Sequence, residues 1–88
     1  MSSIIPAKFL IYKNMKTFAL RFRELRIEKG LTQREIAQSL NTTNKKISFW
    51  ETDFSDPSLD EVVDVARCFG VSTDYLLGLQ DEFGNEIR

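Results

Sequence analysis

Residues 31–51, LTQREIAQSLNTTNKKISFWE, constrain the fold more than any other stretch of this chain. Thr32 stands where a helix N-cap belongs, and Glu35 three positions on completes a capping box with it. Ile36, Ala37 and Leu40 then share one helical face, and Ala37 is small, as a close helix crossing requires. Asn41-Thr42-Thr43 interrupts the pattern, with Asn41 suited to the left-handed conformation of a tight turn. Thr43 caps a second helix, Asn44 to Glu51, in which Ile47 and Trp50 point inward. Asn44, Lys45, Lys46, Ser48 and Phe49 are left to face elsewhere, a polar and basic row that needs an external partner.

The rest of the chain is punctuated for three more helices. One runs from about Phe18 to Lys29, with Thr17 as cap and Gly30 as its left-handed stop. Its inner stripe is Phe18, Phe22 and Leu25, with the stem of Lys29 as a possible addition. After a loop, Thr52 to Pro57, Ser58 caps a helix from Leu59 to Phe69 whose inner stripe is Leu59, Val62, Val63, Ala66 and Phe69. Gly70 ends it. Ser72 caps a short last helix through Leu77, closed by Gly78. Nothing reads as a sheet, and 88 residues suffice for one small core. The expected division is an N-terminal arm at 1–15, an all-α domain at 16–79 and a short tail at 80–88.

The net charge of −1 conceals a strong asymmetry. Through Trp50 the chain carries Lys8, Lys13, Lys16, Arg21, Arg23, Arg26, Lys29, Arg34, Lys45 and Lys46 against Glu24, Glu28 and Glu35, a net +7. From Glu51 onward Arg67 and Arg88 stand against ten acids, a net −8. A polyanion is drawn to the first half and repelled by the second. Charge runs are most often solvated surface, but this basic half contains the helix with the unpartnered row.

At this point a family resemblance becomes plain. Leu31-Thr32-Gln33, Glu35, Ala37, Leu40, Ile47-Ser48 and Glu51 resemble the phage-repressor/Cro (XRE-type) helix-turn-helix proteins. Phe18, Phe22, Leu25, Arg26 and Gly30 resemble that family's first helix. Pro57-Ser58-Leu59, Phe69-Gly70-Val71-Ser72 and Tyr75-Leu76-Leu77-Gly78 resemble its fourth and fifth. The resemblance covers about Lys16 to Gly78. It implies a five-helix bundle of the lambda-repressor-like type, an ion pair between Arg26 and Glu51, and insertion of helix 44–51 into the major groove of double-stranded DNA. The implied role is a transcriptional regulator, most naturally a repressor acting as a homodimer in the cytoplasm.

The expected DNA contacts are Gln33, Arg34, Thr43, Asn44, Lys45, Lys46, Ser48 and Phe49. The resemblance places Gln33 on a phosphate at a helix N-terminus. Asn44 and Lys45 open the reading helix; an Asn amide pairs with adenine and a Lys with guanine O6/N7. Thr43 is a cap first and a phosphate ligand second, Lys46 is a phosphate contact, and Ser48 lies further along the same face. Phe49 has two readings of equal weight, pressing on a thymine methyl group or packing on Phe54. The loop Thr52-Asp53-Phe54-Ser55-Asp56 departs from the family, since two carboxylates near phosphates are repelled. That departure supports an alternative: the fold reused to bind a protein such as a toxin or antirepressor.

Enzymatic chemistry has little to stand on. The chain has no histidine, no glycine-rich phosphate loop, and one cysteine, Cys68, read as a small buried hydrophobe. No cofactor or metal is implied, and no apolar run is long enough to span a membrane. Pro6 and Lys8 interrupt the apolar N-terminus, which argues against a signal peptide and for a reducing compartment. Ile4, Ile5, Phe9, Leu10, Ile11 and Tyr12 are too apolar for an idle tail. That arm can pack on the domain, form an edge strand or pair two copies. A pairing surface is also expected around Tyr75, Leu76, Leu79 and Phe83. The tail is too short to hold a ligand-sensing domain.

Overall fold

Phe18 and Phe22 lie one helical turn apart, and their rings stack at 5.6 Å between centroids. Trp50 stands edge-on to both, at 6.1 Å and 5.7 Å, and Phe69 meets Phe22 in the same way at 6.0 Å. These four rings come from three helices and fix how those helices cross, edge-to-face being the favoured arrangement of aromatic quadrupoles. Burial of side chains this size stabilises the fold by about 1.5–3 kcal/mol each.

The computed structural model describes residues 15–81 and 83–86. Among them run five helices: α1 Lys16–Glu28, α2 Gln33–Ser39, α3 Asn44–Glu51, α4 Leu59–Phe69 and α5 Thr73–Leu76. The fold is all-α, and the described residues contain no strand, only an isolated antiparallel bridge between Gln80 and Glu86. Met15, Leu25, Ile36, Ala37, Ile47, Val62, Val65, Ala66, Leu76, Leu77 and Leu79 complete the core around the rings. The Trp50 indole N–H meets no acceptor among the described residues, so ring packing holds that side chain.

Several sequence expectations are corrected. Thr17 does not cap α1; the helix starts at Lys16 with Met15 in the cap position and no side-chain cap. The Thr17 methyl instead fills the space beside Gly78, where a Cβ would lie 2.9 Å from it; with φ at +83°, only glycine fits there. That close approach turns the chain after α5 back against α1 and buries Leu79, which the sequence reading had left for a partner. On α4 the inner stripe is Val62, Val65, Ala66 and Phe69; Leu59 is 55% exposed and Val63 only partly covered. Cys68 is exposed rather than buried, and the Lys29 stem is exposed too. Of the proposed arm, Met15 is buried in the core, and residues 1–14 lie outside the described residues.

Arg21 on α1 fastens the C-terminal end. Its guanidinium donates to the carbonyls of Tyr75 and, at 2.7 Å, of Gln80, and it lies 4.3 Å from the Tyr75 ring centroid. A single guanidinium nitrogen, Nη1, thus serves two backbone acceptors while the group lies over an aromatic face.

Candidate nucleic-acid interface

The reading helix is positioned from both ends. On α2, the Thr32 hydroxyl accepts from Glu35 N at 3.0 Å and the Glu35 carboxylate accepts from Thr32 N at 2.9 Å. This closes the capping box and holds the Glu35 carboxyl below its ordinary value, the Thr32 backbone N–H contributing most. Asn41 adopts φ +55°, the left-handed turn expected of it, and Thr43 caps α3 by accepting from Lys46 N at 3.1 Å. Ile47 and Trp50 then anchor α3 in the core, against α1 and α2.

At the far end of α3, Glu51 is gripped. Its Oε2 accepts from Arg26 Nε at 2.5 Å and its Oε1 from Arg26 Nη2 at 2.9 Å, a bidentate pair. Arg26 Nη1 also donates to the Leu31 carbonyl at 2.8 Å, tying α1 to the strand of chain that opens α2. The carboxylate side chain is 3% exposed and the guanidinium 12%. The hydrogen bond to Glu51 holds the Arg26 guanidinium above its ordinary value, against the opposing effect of burial. The expected Arg26–Glu51 pair is present.

Of the expected contacts, Thr43, Asn44 and Lys45 are exposed at the start of α3, and Arg34 is exposed on α2. Ser48 and Phe49 follow, half-buried. The loop after α3 folds back, its Phe54 N–H donating to the Phe49 carbonyl at 2.9 Å, and sets the Phe54 ring 4.6 Å from that of Phe49. The Lys45 ammonium lies 5.6 Å from the Phe49 ring centroid. Phe49 therefore packs on Phe54 as one of its readings expected, within a patch that also carries a cation.

Two expected contacts are engaged by carboxylates of the domain itself. Gln33 donates its amide to Glu51 Oε1 at 3.1 Å, joining the clamp. The Lys46 ammonium is paired with Glu61 Oε2 on α4. Glu61 is the N3 residue of a second capping box: its Oε1 accepts from Ser58 N at 2.7 Å, and the Ser58 hydroxyl accepts from Glu61 N at 3.2 Å. Burial pushes this carboxyl up, but the bonds from Lys46 and Ser58 outweigh it and leave it below its ordinary value. Sequence reasoning missed Glu61 and Arg21. The spacing Ser58-x-x-Glu61 was a visible signal for the first; nothing local marks the second.

The geometry is that of a capped helix pair presenting one turn of polar and basic side chains. The profile of the helix-turn-helix family matches residues 22–76, from the middle of α1 to the end of α5. The chain belongs to that family. Its helix-turn-helix is of the XRE type that residues 31–51 resemble, a class of transcriptional regulators and not of enzymes. HTH-type transcriptional regulator ImmR of Bacillus subtilis (strain 168) is 43% identical over 58 residues, which is 66% of this chain and 46% of ImmR. The uncharacterized HTH-type transcriptional regulator YobD of the same strain is 34% identical over 65 residues, 74% of this chain and 58% of YobD. The chain spans about half the length of these curated relatives. Among solved structures, the restriction-modification controller protein C.AhdI from Aeromonas hydrophila superposes with a TM-score of 0.66 at 25% identity. That match covers 73% of this chain and 97% of the controller protein.

Proposed function

We propose that this chain is the DNA-binding part of a cytoplasmic transcriptional repressor, which lays α3 in the major groove of duplex DNA. The observation that carries the reading is the split character of α3: its last residue is locked to α1 while its first turn is exposed and basic. Asn44 and Lys45 reach base edges; Thr43, Arg34 and the first turn of α2 with Gln33 approach phosphates; Ser48 and Phe49 lie further along the groove. One such helix reads only a few base pairs, so the repressor acts as a homodimer on two half-sites a helical turn apart. Of the C-terminal pairing patch, Leu76 and Leu79 are used inside the domain, which leaves Phe83, 81% exposed, to serve a partner copy.

Selection of bound sequences from a random duplex pool tests the reading. The expected result is a short two-fold-related motif, with affinity falling steeply as salt rises. Failure to enrich any sequence, with no retention on heparin, overturns it. A second reading, a protein-interaction module, draws on one feature: Phe54, 74% exposed, sits between Asp53 and Asp56 in a loop that repels phosphate. That surface suits a basic protein partner, and the same heparin experiment separates the two.

A further inference from the structure

Lys46 sits at the edge of the exposed turn of α3, one residue beyond Lys45, yet its ammonium is spent on Glu61. The partner is held in place independently, because the other carboxylate oxygen caps α4 through Ser58 N. Glu61 is mostly covered, with its side chain 22% exposed, whereas the Lys46 side chain is 46% exposed. The acid is therefore fixed and the base is mobile, on a flexible four-carbon stem. Both line a cleft with Asn41, Thr42 and Asp64, where the helix-turn-helix meets the start of α4.

We infer that Glu61 acts as an internal substitute for a DNA phosphate at Lys46, and so sets how strongly the domain holds duplex DNA of any sequence. The inference rests on the DNA-binding reading above and assigns a residue outside the helix-turn-helix to it. Its logic is an exchange. A lysine that meets a phosphate releases a condensed counterion, and that release is the source of salt-dependent affinity. Lys46 meets a phosphate only by leaving a carboxylate of the same sign, so the swap returns little. The chain thus carries two lysines on the reading turn and the non-specific grip of one. Non-specific binding falls while base contacts through Asn44 and Lys45 are untouched, which raises the ratio of specific to non-specific affinity.

The test uses four full-length proteins on one random-sequence duplex, with binding measured across a salt series. Glu61→Gln removes the charge and keeps an acceptor for the Ser58 N–H, so the capping box survives. It is expected to tighten binding several-fold and to steepen the slope of log affinity against log salt by about one unit. Lys46→Ala is expected to cost several-fold less affinity in the parent than in the Glu61→Gln protein, where the lysine is released to meet a phosphate. In the double variant the gain from Glu61→Gln disappears. Asp64→Asn lines the same cleft without pairing to Lys46; its gain is small and survives Lys46→Ala. A Glu61→Gln gain that persists at full size in the Lys46→Ala background is long-range charge alone and overturns the inference. So does a Lys46→Ala loss as large in the parent as in the Glu61→Gln protein. If the parent protein binds no duplex at any salt, the DNA-binding reading itself fails, a separate and recognisable outcome.

Discussion

The two ends of α3 face opposite demands. Its last residue, Glu51, takes donors from Arg26 and Gln33 and is almost wholly buried. Its first turn, Asn44 to Lys46, is exposed and carries two cations. Both ends run against the helix macrodipole, which favours acids at the N-terminus and bases at the C-terminus. Each misplaced charge costs about 0.3–1 kcal/mol unless something offsets it. At the C-terminal end the offset is visible in Arg26. Lys46 has Glu61, but among the described residues no carboxylate is paired with Lys45. A lysine set against the helix dipole without a carboxylate partner is open to an anion from outside, which is what the proposed DNA contact requires.

Perturbing the anchored end should affect stability and perturbing the free end should affect binding. The largest effect is expected from Trp50→Ala, which removes the ring that meets both Phe18 and Phe22; denaturant melts should show a loss of about 3–5 kcal/mol. Glu51→Ala should cost roughly 1–3 kcal/mol, since it strands a mostly buried guanidinium. A loss near zero would mean the clamp is no more than surface charge. Asn44→Ala should leave the melt unchanged while relaxing preference at one base pair by about 1–3 kcal/mol, read by competition between duplexes differing at that position. Lys45→Ala should relax preference at the base pair it reads by about 1–3 kcal/mol, read by the same competition, and should also lower the salt slope because a cation is lost. Any of these free-end variants that melts much earlier than the parent breaks the division.

The smallest expected effect concerns pH. The carboxyls of Glu35, Glu61 and Asp81 all lie below their ordinary values in the folded domain, Glu35 and Asp81 chiefly through backbone N–H bonds from Thr32 and Asn85. The unfolded chain therefore binds more protons in acid. Stability from these groups is complete above the ordinary carboxylate range near pH 4, and it is lost as pH falls through the lowered folded values. Glu35→Gln keeps the capping acceptor but removes one such titration. Its stability should fall less steeply in acid than the parent's, measured by melts across the acid limb.

Much of this was legible in the sequence because it is local. The cap at Thr32, the left-handed Asn41, the cap at Thr43 and the inward pair Ile47 and Trp50 all follow from spacings within one turn or two. Helix ends signalled by a polar cap were placed well; the start of α1, which has no side-chain cap, was not. Features that depend on how helices cross were hidden. Val65 rather than Val63 faces the core, and Cys68 faces solvent, because a helix stripe a turn wide leaves its flanks to be decided by the neighbour. The Lys46–Glu61 pair joins residues fifteen apart through a crossing that no periodicity encodes. Leu79 is buried because Thr17 and Gly78 touch across the whole domain.

Two residues with side chains, Asn41 at φ +55° and Asp53 at φ +59°, adopt left-handed conformations at either end of α3. Glycine would reach those angles with less strain but would leave the unfolded chain with more freedom to lose. With asparagine and aspartate there, the turns that bound the reading helix lose less freedom on folding, and the helix is already capped and anchored in the unbound domain. The thermodynamic signature of association should follow. The heat-capacity change on binding DNA should match the apolar surface covered at the interface alone, without the larger negative value that accompanies folding coupled to binding.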